Sequence, residues 1–458
     1  MPVNSVKHTG FGVSLSESAS MNLLLKNGTC VTPSGTAVAD IGIVDGRIAA
    51  IGTIGTAAAE VIDCRGLHVL PGVIDSQVHF REPGLEHKED IATGTAAAAL
   101  GGVTAVFEMP NTRPATTTAA LLADKCRRAK GRAWVDMAFF VGASAENVVE
   151  LATLERLPGC AGIKLFMGSS TGDLLVPDDA TIAQVLANGN RRVAVHAEDE
   201  RRLKERYTIV EGGADVGMHP EWRDVETALA ATRRLLALAQ ATRRRVHVLH
   251  VTTAEELPLL AEHRTLATVE VTPQHLTLAA PECYRELDGF AQMNPPIREG
   301  RHRAALWAAV ANGLVDCIGS DHAPHTRDEK NQPYPGSPSG MPGVQTLVPV
   351  LLNHVAEGRL SLERFVDLTS TGPARIFGIA GAGRIALGYP ANLTVVDLKH
   401  RRMITHLAMA SRCGWTPFDG LTVTGWPVMT LVRGRIVMRE GALLGDPAGE
   451  AVRFLECL

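Results

Sequence analysis

Five side chains set far apart in the sequence, His79, Lys164, His196, His250 and Asp321, could together hold divalent metal. Imidazole nitrogens and a carboxylate suit zinc or manganese, and a group this rich has room for two ions bridged through water. Lys164 fits such a set only after chemical change. A free ammonium repels cations, whereas carbamylation by CO₂ turns the same side chain into an anionic, bidentate bridge. Taken singly, each residue has a plainer role: a histidine at a strand end is more often a hydrogen-bonded structural residue, and Asp321 could cap a helix. Taken together the balance reverses, because burying all of them without metal would leave polar and charged groups unpaired. His247, three residues before His250, is expected to be structural, since strand alternation places it on the opposite face.

The elements that must position these residues are legible as texture. Short β-rich apolar runs lie near 70–75, 103–108, 134–141, 161–166, 192–196, 245–251, 268–272 and 315–320, with segments long enough for a helix between them. Ala-rich stretches at 93–100 and 226–240 supply helices. Eight strands alternating with helices predict parallel βα units closed into a barrel. Nearly every run ends in or contains an ionisable or amide side chain: Asp75, Gln77 and His79 on the first, then Glu108, Lys164, His196, His250 and Asp321. In a parallel barrel such strand ends share one mouth, where the active site lies.

The flanks read differently. Asn22 to Val69 consists of short strands broken at Asn27-Gly28, Asp45-Gly46 and Gly52, and the same texture returns from Asn392 and from Thr430, with Arg433-Gly434 as another hairpin turn. Neither flank alone has enough strands to be stable, so the two ends are expected to pair. The predicted fold class is α/β, a (β/α)₈ TIM barrel over 71–379. It carries a small discontinuous β-sandwich domain from 21–70 and 380–458, and 1–20 is expected to be a disordered extension.

Bulk properties exclude several functions. Lys and Arg number 45 against 49 Asp and Glu, a net charge of −4 with no long run of one sign, which gives no footprint for nucleic acid or an anionic membrane. The 8 cysteines are scattered without a C-x-x-C pair, and the first residues lack a basic-then-apolar leader, so buried thiols in a cytoplasmic protein are expected. No apolar stretch reaches the roughly 20 residues of a membrane span. A soluble enzyme acting on a small molecule fits best.

Seven blocks occur in a telling order: PGVIDSQVHFREPG at 71–84, EMPNTRP at 108–114, GIKLFMGSSTG at 162–172, VHAED at 195–199, HVLHVTTAEEL at 247–257, MNPPIR at 293–298 and IGSDHAPHT at 318–326. Together they resemble the dihydroorotases of the amidohydrolase superfamily, and the flanks GRIALGYPANLTVVDL from Gly383 and SRCGWTPFDG from Ser411 resemble them as well. The resemblance implies metal ligands at His79, Lys164 as a carboxylated bridge, His196, His250 and Asp321, holding one or two Zn²⁺ per chain. It implies substrate contacts at Arg81, Asn111, Asn294 and His325 and at the backbone of Ser339 and Gly340. The chemistry agrees, because dihydroorotate carries a carboxylate that the planar fork of Arg81 can match. The implied reaction is reversible hydrolysis of L-dihydroorotate to N-carbamoyl-L-aspartate, in pyrimidine biosynthesis. A metal-activated water attacks the ring amide, and Asp321 serves as base and then acid. The Pro/Gly-rich segment 327–343 is long enough to close over the site, though an ordinary solvated loop reads the same way. As partners the resemblance implies the small-molecule substrate, a homodimer and an association with aspartate transcarbamoylase.

Two positions depart from the family pattern. The usual His-x-His opening is Gln77-Val78-His79 here, and an amide oxygen is a far weaker zinc ligand than imidazole, so the second metal site is expected to be weakened. Gln345 stands where relatives often carry an acid. An allantoinase or a hydantoinase would share fold and metals with less need of Arg81 and Asn111. A non-catalytic homologue serving as a structural partner would be expected to have lost several ligands, and here only one is altered.

Overall fold

The computed structural model describes residues 21–32, 35–170 and 172–457, so the extension expected over 1–20 lies outside the described residues. Five strands open the chain: β1 (Met21–Thr32), β2 (Gly35–Val44), β3 (Arg47–Gly52), β4 (Ala58–Asp63) and β5 (His68–Pro71). Eight more follow, β6 (Val73–Val78), β7 (Val103–Glu108), β8 (Asp136–Gly142), β9 (Cys160–Phe166), β10 (Val193–His196), β11 (Val246–Val248), β12 (Ala267–Val271) and β13 (Cys317–Ile318). The chain ends with β14 (Leu393–Met403), β15 (Thr422–Val432), β16 (Arg435–Arg439) and β17 (Ala442–Leu443).

Strands β6 to β13 pair in sequence order, all parallel, and form the barrel. Its first and last strands meet where Val78 bridges His322, with His79 N donating to His322 O at 2.7 Å. Asp75 strengthens that seam, since its Oδ1 accepts from Ser320 N at 2.9 Å and from Gln77 N at 3.2 Å. Helices cover the outside. Val225–Thr242 starts at Asp224, whose side chain accepts from Thr227 N, and it buries Ala228, Ala231, Leu235, Leu236 and Ala239 along one face. Inside, the end of the barrel where the strands begin is plugged by Phe107, Phe140, Phe377 and Phe454 in edge-on contacts, leaving the other end to polar groups.

The remaining nine strands make one sheet in the order β17-β16-β15-β14-β5-β1-β2-β3, with β4 beside β1, so both chain ends do join. Leu23, Ile43 and Val69 from the N-terminal half share one apolar core with Leu393, Met429 and Leu431 from the C-terminal half. Asp45-Gly46 and Arg433-Gly434 are two-residue hairpin turns with both φ values positive, as such turns require. Asn27-Gly28 is not a turn. It is a bulge within the continuous β1, and a side chain at Gly28 would come within 2.7 Å of Val69 Cγ2.

Candidate active site

One cavity at the mouth is lined by Gln77, His79, Arg81, Asn111, Lys164, His196, His250, Asn294, Asp321, Ser339 and Gly340, together with Phe166, Ser170 and Ala323. Three of its residues leave their strands through left-handed backbone, Arg81 at φ 66°, His250 at φ 36° and Asp321 at φ 47°. Non-glycine residues rarely adopt this conformation, and it tends to gather at functional sites. It also overturns the expectation for His247. The kink after β11 swings His250 inward, so His247 and His250 both face the barrel interior.

The imidazoles fall into two groups. His196 Nδ1 and His250 Nε2 face each other at 3.1 Å. Two nitrogens on one tetrahedral zinc would lie roughly 3.3 Å apart, so this pair fits a metal. His196 is backed by Glu198, with Nε2 and Oε2 2.9 Å apart at an angle too oblique for a well-formed hydrogen bond. Burial opposes ionisation of Glu198, but Arg223 and His196 overcome it and hold the carboxyl below its ordinary range. Such carboxylate backing is typical of metal-ligating histidines. Burial lowers the pKa of His196 and, more strongly, of His250, keeping both rings neutral and able to ligate.

In the second group His79 Nδ1 donates to Asn111 Oδ1 at 2.8 Å, which leaves Nε2 with a lone pair 3.2 Å from Asp321 Oδ1. Gln77 Nε2 donates to the same Asp321 oxygen at 3.0 Å, and Gln77 Oε1 is buried without a partner. Lys164 is fully buried, has its Nζ 4.3 Å from the Phe166 ring centre, and is pushed down by burial to about 7. The unprotonated amine, the form that reacts with CO₂, is therefore accessible near neutral pH. The donors present fit divalent metal in both groups, the second less well for want of an imidazole at Gln77.

Beside them Arg81 is 1 % exposed. Its Nε donates to Pro324 O at 3.1 Å and Nη2 lies 3.2 Å from His325 Nε2, while Nη1 is buried without a partner. His325 does not line the cavity. Its ring stands behind Arg81, held between Lys88 Nζ at 3.0 Å and Ser339 O at 3.0 Å, so it buttresses the guanidinium. Gly340 has φ 139°, and a side chain there would come within 2.5 Å of Ala323 O.

One contributor, His219, was not marked in the sequence, and two residues that were, Glu108 and Gln345, act away from the cavity. His219, fully buried, places Nε2 3.1 Å from Asn294 Oδ1 and Nδ1 3.1 Å from the hydroxyl of Tyr334 in the loop. Glu108 does not reach the cavity, but its Oε2 accepts from Phe80 N at 2.6 Å and so fixes the backbone between His79 and Arg81. Gln345 is structural: its Nε2 donates to Ala408 O and its Oε1 accepts from Ala410 N.

Residues 68–437 match the profile of the Amidohydrolase family. The chain belongs to this family. Among curated amidohydrolase relatives it is similar to a dihydroorotase of Halobacterium salinarum, 38 % identical over 87 % of this chain and 93 % of the relative. It is likewise similar to dihydroorotases of Methanosarcina acetivorans, 35 % identical over 91 % and 92 %, and of Bacillus cytotoxicus, 35 % identical over 93 % and 100 %. Among solved structures it resembles the L-hydantoinase (dihydropyrimidinase) of Arthrobacter aurescens, with a TM-score of 0.89 and 30 % identity over 94 % of this chain and 99 % of that one. The dihydropyrimidinase of Brevibacillus agri is similar at a TM-score of 0.87 and 30 % identity over 94 % and 98 %.

Proposed function

We propose that the protein is a metal-dependent dihydroorotase that interconverts L-dihydroorotate and N-carbamoyl-L-aspartate in pyrimidine biosynthesis. The observation that carries this reading is the buried, unpartnered Nη1 of Arg81 beside the metal-type histidines. A buried guanidinium N–H left unpaired is costly, and a substrate carboxylate satisfies it with charge-assisted hydrogen bonds. Hydantoin and allantoin carry no carboxylate to do so.

In this reading His79, His196, His250, Asp321 and a carboxylated Lys164 would hold one or two zinc ions. Bound metal would polarise the ring amide carbonyl and make water nucleophilic near neutral pH. Arg81 grips the substrate carboxylate from the His325 side. Asn111 keeps His79 in the tautomer that leaves Nε2 bare. Asp321, steadied by Gln77 Nε2, takes the proton from the attacking water and delivers it to the ring nitrogen as the C–N bond breaks. Asn294 and the backbone at Ser339 and Gly340 meet the rest of the ring, and the overlying loop keeps bulk water out.

Turnover of dihydroorotate, hydantoin and allantoin by the zinc-loaded protein tests the proposal. Dihydroorotate should be preferred, and Arg81→Ala should lower its kcat/KM by about a hundredfold, equivalent to ~3 kcal/mol of charge-assisted bonding. Preference for hydantoin or allantoin would overturn the substrate assignment while leaving a cyclic-amide hydrolase.

A further inference from the structure

Below the mouth, between the catalytic cavity and the phenylalanine plug, three potential ligands from neighbouring strands converge on the barrel axis. His247 on β11, Glu270 on β12 and Cys317 on β13 are each fully buried. His247 Nε2 lies 3.4 Å from Glu270 Oε2 and 3.6 Å from Cys317 Sγ, and Cys317 Sγ lies 3.6 Å from the same Glu270 oxygen. None of the three lines the catalytic cavity.

We propose that His247, Glu270 and Cys317 bind a structural divalent ion of the zinc type in the barrel interior. Around tetrahedral zinc, ligand atoms at about 2.0 Å for nitrogen and oxygen and about 2.3 Å for sulfur stand roughly 3.3 Å apart for N and O and roughly 3.5 Å apart for S and either. All three observed separations match. Ser76 Oγ donates to Glu270 Oε2 at 3.0 Å and lies 4.0 Å from Cys317 Sγ, so it borders the cluster.

The surroundings support a cation independently of this geometry. Thr268 Oγ1 lies 2.8 Å from His247 Nδ1 and can accept its proton, the tautomer that turns the Nε2 lone pair towards the cluster. In that tautomer Nε2 and the Glu270 carboxylate are acceptors facing each other at 3.4 Å, and a cation between them would satisfy both. Glu270 Oε1 has no partner, and neither has Oδ2 of the neighbouring buried Asp75. No Lys or Arg side chain hydrogen-bonds to either carboxyl among the described residues, and Lys164, the cation whose charge reaches Glu270, loses that charge if carboxylated. A dication would displace the Cys317 thiol proton to solvent and be balanced by one thiolate and one carboxylate, a neutral unit suited to a dry interior. It would also cross-link β11, β12 and β13 beneath the catalytic cavity.

Sulfur makes the site separable from the catalytic one, because no cysteine lines the catalytic cavity. Protein produced in cobalt-supplemented medium should show thiolate-to-cobalt charge-transfer absorption in the near ultraviolet. Cys317→Ser should abolish that band and lower metal content by one ion per chain, while the weaker visible bands of the nitrogen- and oxygen-ligated ions remain. Glu270→Gln should weaken the same band. If Cys317→Ser fails to fold, X-ray absorption of the zinc-loaded wild type should still find a sulfur neighbour, at a fraction of one per zinc because the catalytic ions carry none. Absence of the band and of any sulfur neighbour, or a band that persists in Cys317→Ser, would overturn the proposal. Neither result depends on which substrate is turned over.

Discussion

Gln77 would divide the proposed catalytic metal site unequally. Its Nε2 is committed to Asp321, so only Oε1, a poor ligand for zinc, remains to face the second ion. The His196 and His250 pair has no such deficit. We therefore expect one firmly held catalytic metal and one that dialysis removes, with activity rising when metal is returned. Gln77→His should raise catalytic metal toward two per chain, counted by elemental analysis in a Cys317→Ser background so that the barrel-interior ion does not enter. Should the unaltered protein retain both catalytic ions through exhaustive dialysis, Gln77 does not limit the site. At this scale, residues near strand ends were legible, because a barrel gathers strand ends whatever their sequence distance. His247 was misplaced because alternation does not register the left-handed kink at His250. His219 and Glu198 act through other side chains, and no spacing rule marks such residues.

The elements were legible wherever their signal is local. All eight barrel strands lie at or beside the apolar runs, and the two-residue turns of the small sheet announce themselves by glycine. Asn27-Gly28 carries the same dipeptide signal, but packing against Val69 makes it a bulge, a tertiary fact that no local pattern contains. The segment 327–343 is a similar case: its length was plain, its fastening was not. Gln292, on a different segment, donates through Nε2 to Ser337 O and Ser339 Oγ, accepts from Ser337 Oγ, and offers its carbonyl to Lys330 Nζ and Gly340 N. Trp415 Nε1 donates to His325 O at the base of the same loop. Gln292→Ala removes only the side-chain bonds, about 1–3 kcal/mol of anchoring. KM for the substrate should rise about tenfold, and limited proteolysis should begin within 327–343. Unchanged KM and unchanged cleavage would mean that the loop is held in place without Gln292.

Over the whole molecule, the candidate site and one main joint of the fold lie at opposite ends of the barrel. The proposed ligands and Arg81 stand at the mouth, whereas one joint between the small sheet and the barrel lies at the end where the strands begin. Asp136, the first residue of β8, is the junction there. Its Oδ2 accepts from Asn392 Nδ2 at 2.9 Å, and its Oδ1 accepts from Arg433 Nε at 3.1 Å and from Glu450 N at 2.9 Å. One buried carboxylate thus ties a barrel strand to the start of β14, the turn after β15 and the C-terminal segment. Asp136→Ala would leave these donors unsatisfied and Arg433 without its closest ion partner, which should destabilise the fold by about 3 kcal/mol. Since a chain of this size can unfold irreversibly, the rate of thermal inactivation is the measurement to follow. Inactivation should accelerate markedly while kcat, KM and metal content at low temperature stay at their unaltered values, because none of the residues Asp136 holds reaches the mouth. A fall in kcat or in bound metal in the still-folded variant would show instead that the two ends of the barrel are coupled.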